Sequence, residues 1–184
     1  FAVIGGLVSL TMREHPEMAD AARDLQDRIL ALGRAHDYVR LHKGHGMARP
    51  SHSSLRGMLD ELLRPYQNGD STRITVSGQD LRIDDRSATP LALFFHELAT
   101  NAAKYGALSQ PGGRVAILIE LGEDVVLRWA ERGGPAVASS PERGFGATLV
   151  QMSIGRQLGG SLDMDWLPGG IVVEARIPRS AMAR

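Results

Sequence analysis

The 184 residues contain no cysteine, which rules out disulfides, thiolate metal sites and cysteine nucleophiles together. Net charge is also lacking, with 21 basic side chains balanced by 21 acidic ones. No chain-wide basic field therefore recruits nucleic acid. Long apolar runs are missing too. The longest uncharged apolar stretch, Phe1 to Met12, falls well short of the roughly 20 residues that a membrane helix needs. Aromatics are scarce at 5%, but a 43% hydrophobic and 23% charged composition is that of a globular fold in a setting compatible with the cytoplasm. The length accommodates a domain plus a smaller module.

What is present is organised by periodicity. Met18, Ala22, Leu25, Ile29, Leu32, His36 and Val39 recur at alternating steps of four and three, with charged residues between them. That is the spacing of a heptad seam. Val3, Leu7 and Leu10 repeat it upstream, and Glu14-His15-Pro16-Glu17 supplies a proline suited to a turn or a first helical position. The pattern predicts an antiparallel helical hairpin. Neither stripe can be covered by the hairpin alone, so pairing of two hairpins into a four-helix bundle, a homodimer, is expected. The alternative is that both helices lie on the downstream unit as an ordinary helical layer.

Residues His42 to Ser54 are rich in Gly, His, Ser and Pro and mark a linker. The boundary is placed there, giving a hairpin over residues 1–48 and a second domain over 49–184. In the second domain the pattern predicts a helix over Leu55 to Tyr66, short strands at Ile74-Thr75-Val76 and Leu81-Arg82-Ile83, and a helix from about Pro90 to Tyr105. Alternating segments follow at Val115 to Leu121, Val125 to Trp129, Leu162 to Trp166 and Ile171 to Ile177, with one helix from about Ala147 to Leu158 between the pairs. The fold class is α+β: the hairpin, then an α/β sandwich with a mixed sheet covered on one face by helices.

On the helix after Pro90, Glu97, Asn101 and Lys104 stand at i, i+4 and i+7 and share one face. An amide oxygen suits Mg²⁺, a carboxylate can accept a proton, and an ammonium can neutralise phosphate, which together equip phosphoryl transfer. A solvated helix face would show the same spacing. Two glycine stretches add to the pattern. Gly133-Gly134-Pro135 follows the strand ending in Trp129-Ala130-Glu131, and Gly144-Phe145-Gly146 leads into a helix. Glycines let backbone approach a ligand closely, and free amides at a helix start suit an anion. Glu131, at the strand end, is placed to accept a hydrogen bond from an exocyclic amine such as that of adenine.

Taken together, these segments resemble a known family. His96-Glu97-Leu98-Ala99-Thr100-Asn101-Ala102-Ala103-Lys104-Tyr105-Gly106 resembles the N box of histidine kinases in the GHKL ATPase superfamily. Trp129-Ala130-Glu131-Arg132-Gly133-Gly134-Pro135 resembles the variant G1 box of the HWE subfamily, named for a histidine in the N box and a Trp-x-Glu, here His96, Trp129 and Glu131. Gly144-Phe145-Gly146-Ala147-Thr148-Leu149-Val150 resembles the G2 box, while Leu158-Gly159-Gly160 and Pro168-Gly169-Gly170 resemble the closing hairpin. The likeness covers about residues 55 to 178, and the helical hairpin resembles the family's dimerisation and phosphotransfer domain less specifically.

The resemblance implies an ATP-dependent protein-histidine kinase of two-component signalling. It makes Asn101 the Mg²⁺ ligand, Glu97 the polar or general-base residue, and Lys104, Tyr105, Gly133, Gly134, Gly144, Phe145, Gly146 and Thr148 contacts to ATP. Glu131 stands where most such kinases place an adenine-binding Asp, and Ala136 to Arg143 becomes a lid. The implied partners are a response-regulator receiver domain, a second copy of the chain and an upstream sensor domain, without nucleic acid or membrane contact. One departure stands out: the family's His-Arg-x-x-Asn phosphoacceptor run is not in these residues. The expectation is that the chain begins just after it and does not autophosphorylate as it stands.

Rival readings attach to several residues. His36-Asp37 imitates a phosphoacceptor pair, but His36 falls on the heptad seam, where a structural histidine is the commoner explanation. His42, His45 and His52 lack the carboxylates or thiols that would complete a metal site. Trp129 and His96 have structural readings as well. At the level of function, the alternatives are a dimeric phosphotransfer scaffold that has lost ATP binding, or another GHKL ATPase acting on serine.

Overall fold

A computed structural model describes residues 2–43, 53–67, 72–136 and 145–182. Two helices come first, α1 (Ala2–Glu14) and α2 (Ala19–Lys43), joined through a short 3₁₀ turn at Pro16–Met18. α3 (Leu55–Leu63) follows, opened by the Ser54 hydroxyl, which accepts from the Gly57 amide. The helix predicted to reach Tyr66 tightens into a 3₁₀ turn over Arg64–Tyr66, because Pro65 cannot donate the next helical bond.

The second unit continues with β1 (Ile74–Gly78), α4 (Asp85–Lys104), β2 (Arg114–Leu121), β3 (Asp124–Arg132), α5 (Phe145–Gln151), β4 (Ser161–Leu167) and β5 (Gly170–Pro178). The five strands lie in the order β1-β2-β3-β5-β4. β1 is parallel to β2 and the other pairs are antiparallel, so the sheet is mixed as expected. Inward residues alternate along it: Val115, Ile117 and Ile119 on β2, Val125, Leu127 and Trp129 on β3, and Val173, Ala175 and Ile177 on β5 are all buried. They pack with Leu91, Phe94, Phe95 and Leu98 of α4 and with Met58, Leu59 and Leu62 of α3 in one core.

Three expectations need correction. Leu81-Arg82-Ile83 forms no strand; Arg82 makes an isolated bridge to Ser54, with bonds from Leu55 N–H to Leu81 O and from Ile83 N–H to Ser53 O. The alternation is there, but among the described residues the backbone that pairs with it is the entry to α3. Next, α4 begins five residues before Pro90. Asp84 caps it by accepting from the Arg86 and Ser87 amides, and the Ser87 hydroxyl completes the box. Pro90 is carried inside α4 at the loss of one helical bond. Finally, the last helix starts at Phe145, two residues early, and widens into a π-helical segment at Met152–Gln157.

The heptad seam is only partly buried. Ala22, Ile29 and Val39 are covered, whereas Met18, Leu25 and His36 are exposed. Ala31, Gly33 and Ala35 are covered instead, and Ala31, Ala35 and Val39 join the main core. Their small side chains let α2 lie close against α4. This is the alternative helical-layer arrangement for α2. On α1, Val3, Leu7 and Leu10 remain 78%, 59% and 55% exposed, and a four-helix bundle is not formed by the single chain.

Candidate functional site

Helix α4 places Glu97, Asn101 and Lys104 on the side that meets α2 and the start of α5. Glu97 is 3% exposed. Its two oxygens accept from Arg28 of α2, Oε1 from Nε at 2.6 Å and Oε2 from Nη2 at 3.1 Å. This fork-on-carboxylate geometry fixes the carboxylate in direction as well as in charge. The Glu97 hydrogen bond holds the Arg28 guanidinium above its usual pKa. The same guanidinium lies 5.1 Å from the centre of the Phe145 ring, a cation–π distance that joins the start of α5 to the pair.

Gly146 explains why a glycine stands at this place. A Cβ there would meet Glu97 Oε2 at 2.6 Å and Asn101 Nδ2 at 3.9 Å, so any larger residue displaces the carboxylate. Asn101 itself is exposed, as are Tyr105, Phe145 and Thr148. Lys104 Nζ donates to Asp24 Oδ1 of α2 at 2.7 Å. That bond raises the lysine pKa and lowers the aspartate pKa. His96, which precedes Glu97 on the helix, is buried, and burial lowers its pKa. Its Nδ1 finds no partner among the described residues.

The Trp-x-Glu segment forms a second cluster. Residues 129 and 131 point the same way from β3, a consequence of strand alternation. Trp129 is fully buried beside Phe95, with ring centres 6.5 Å apart. Its indole Nε1 donates to Glu131 Oε1 at 3.1 Å, and the Ala107 amide donates to Glu131 Oε2 at 2.7 Å. Burial raises the Glu131 pKa, partly offset by those two bonds. The sequence places Glu131 to accept from an exocyclic amine; in the structure each of its oxygens is already engaged by a protein donor, with one lone pair apiece left over.

The loop after α4 is built around this carboxylate. A Cβ on Gly106 would run into Glu131 Oε2, and one on Gly134 would meet the Ala107 amide nitrogen at 2.9 Å. Gly133 has φ +75°, a left-handed conformation that side chains resist. Arg73 secures the loop from outside, donating through Nε to Gly113 O at 3.2 Å and through Nη2 to Leu108 O at 3.1 Å and Gln110 O at 2.5 Å. Gly144 and the lid residues from Val137 onward lie outside the described residues. Asp24, Arg28 and Arg73 were not anticipated. The first two had a signal, since opposite charges one turn apart on α2 complement Glu97 and Lys104.

A magnesium ion fits the donor set. Mg²⁺ typically takes one or two protein oxygens plus phosphates and waters, and an exposed amide at Asn101 beside an immobilised carboxylate offers that. Among the described residues no group of three or more His, Asp or Glu side chains is arranged for a protein-only metal cage.

Residues 1–80 match the HWE histidine kinase family. Over 182 residues, covering 97% of the chain and 49% of the relative, it is 35% identical to blue-light-activated histidine kinase 1 of Erythrobacter litoralis. The chain is similar to HWE histidine kinases over these spans. A blue-light-activated histidine kinase of Brucella anthropi is 32% identical over 185 residues, 98% of this chain and 36% of that one. The chain thus spans half or less of the length of these relatives. The solved histidine kinase domain of a blue-light-activated kinase from Erythrobacter litoralis superposes with a TM-score of 0.68 at 18% identity, covering 95% of this chain and 84% of that one. The Acinetobacter baumannii histidine kinase AdeS gives 0.54 at 13%, covering 96% of this chain and 94% of that one. At such identities these two likenesses establish the fold, that of a histidine kinase catalytic region. The Trp129–Glu131 hydrogen bond gives the Trp-x-Glu segment a physical content: the indole anchors the carboxylate that holds the loop after α4.

Proposed function

We propose that this chain is an HWE histidine kinase that binds Mg-ATP along the exposed edge of α4 and transfers its γ-phosphoryl group to a histidine ring nitrogen, for relay to a receiver-domain aspartate of a response regulator. The observation that carries the reading is the placement of Glu97 and Asn101 beside Gly146, where a Cβ is excluded, with Lys104 one turn further along the same helix. The partition is proposed as a hairpin over 1–48 and an ATP-binding domain over 49–184, in the cytoplasm, with an adjoining unit supplying the sensory input.

Magnesium, when bound, would supply positive charge that offsets that of the phosphates. Asn101 would hold it through its amide oxygen. Lys104 would pair with a phosphate, and Tyr105, Phe145 and Thr148 would line the nucleotide. Backbone amides around Gly133, Gly134 and Gly146, with Gly144 as a further proposed contact, would permit the close approach that phosphate and adenine require. Glu131 would use its remaining lone pairs toward the adenine amine. Glu97, held by Arg28, would orient the incoming imidazole or accept its proton as the ring nitrogen attacks phosphorus and ADP leaves with the bridging oxygen. Positioning and charge neutralisation are the main contributions in such transfers.

Val3, Ile4, Leu7 and Leu10 of α1, with Met18 and Leu25, expose an apolar row that supports homodimerisation through the hairpin. To test the activity, the full-length protein is incubated with γ-labelled Mg-ATP. Acid-labile, alkali-stable label that passes to a receiver domain is expected. Acid-stable label would point to serine chemistry, and a folded protein that binds no nucleotide would be the phosphotransfer scaffold.

A further inference from the structure

We infer that Asp24 of helix α2 competes internally with the nucleotide for Lys104, using the Arg28–Glu97 pair as its pivot. This rests on the proposed role of Lys104 as a phosphate contact. The two cross-helix pairs run in opposite senses, Asp24 to Lys104 and Arg28 to Glu97, so α2 lies antiparallel to α4 with its charges in complementary register. A carboxylate oxygen 2.7 Å from Lys104 Nζ stands where a phosphate oxygen would have to stand to neutralise the same ammonium.

Burial decides which pair yields. Arg28 and Glu97 side chains are 17% and 4% exposed, and separating them would strand a buried charge. Asp24 and Lys104 are 43% and 44% exposed, in the range where ion pairs are weak, screened by salt and exchangeable. Incoming phosphates can therefore displace Asp24 while α2 stays seated through Arg28, Ala31, Ala35 and Val39. Any signal that moves α2 changes the effective charge at Lys104, and with it the affinity for nucleotide. By linkage, nucleotide loosens the Asp24 contact of α2 by the same factor.

The test is calorimetric titration with Mg-ATP at low and high salt of the intact chain, Asp24→Asn, Asp27→Asn and Lys104→Ala. Asp27 is an exposed acid one turn away and controls for charge alone. Asp24→Asn is expected to bind about two- to fivefold tighter than the intact chain, the range open to an exposed pair worth up to roughly 1 kcal/mol. The gain should shrink at high salt, with Asp27→Asn changing affinity by less than half as much. Lys104→Ala should bind more weakly. If Lys104→Ala weakens binding while Asp24→Asn binds as the intact chain does, or Asp27→Asn gains equally, the competition is refuted. If Lys104→Ala itself is without effect, the assignment of Lys104 to the phosphates fails first. Circular dichroism of each variant verifies that the fold is kept.

Discussion

Replacing Trp129 with Phe probes the Trp-x-Glu cluster. The ring stays aromatic in the core, but the donor to Glu131 Oε1 is lost. Two costs follow. The smaller ring leaves unfilled volume next to Phe95, roughly 1–2 kcal/mol and independent of pH. The missing bond to a buried carboxylate costs about 1.5–3 kcal/mol, but only while Glu131 is charged. Burial already raises the Glu131 pKa above the ordinary glutamate value, so the folded state holds the proton more tightly than the unfolded chain. This contribution to stability is fully present below the unfolded value and falls away as pH rises through the folded one. Removing the indole donor raises the folded pKa further and extends that fall. Urea unfolding of both proteins from pH 4 to pH 8 should therefore show a small difference at pH 4 that grows with pH and levels off. A difference that is constant across the range would mean that the Trp129–Glu131 bond does not stabilise the carboxylate, and the account of the motif would be wrong.

Arg28→Met should destabilise the protein by about 3 kcal/mol by leaving Glu97 buried and unpaired, whereas the Arg28→Met, Glu97→Gln double variant should recover at least 1 kcal/mol of it. Thermal melts resolve this at about 2–4 °C per kcal/mol for a chain of this size. Gly106→Ala pushes a Cβ into Glu131 Oε2 and should cost about 2–3 kcal/mol through the loss of the Ala107 and Trp129 bonds; an unchanged denaturation midpoint would show that the loop has room. Leu7→Glu on the exposed α1 row should turn a dimer into a monomer by light scattering without lowering the melting temperature of the sheet domain; a monomeric intact chain would refute the proposed hairpin pairing.

Legibility in the sequence followed the physics of each segment. The strands β2, β3 and β5 were readable because one face is buried and the alternation survives, and the Glu97–Asn101–Lys104 face followed from helical geometry alone. The start of α4 was misplaced because Pro90 looks like a helix opening, while Asp84 with Ser87 makes a capping box without the usual Glu or Gln. Leu81 and Ile83 alternate like a strand, yet pairing depends on neighbours that no local window contains. The docking face of α2 was hidden for a different reason. Ala31, Gly33 and Ala35 carry little hydrophobic signal, and their value lies in letting α4 come close, so periodicity favoured the larger Met18 and Leu25. Glu131 broke the usual inference from polarity to exposure: it is buried because two donors, far apart in sequence, converge on it.

The central claim is a magnesium-dependent nucleotide site on α4, and calorimetric titration of this chain with ATP, with and without Mg²⁺, beside Asn101→Ala, tests it most directly. The account predicts binding that requires the metal and is lost in the variant. A folded chain that takes up no ATP, or an Asn101→Ala protein that binds Mg-ATP as tightly as the intact chain, would contradict it.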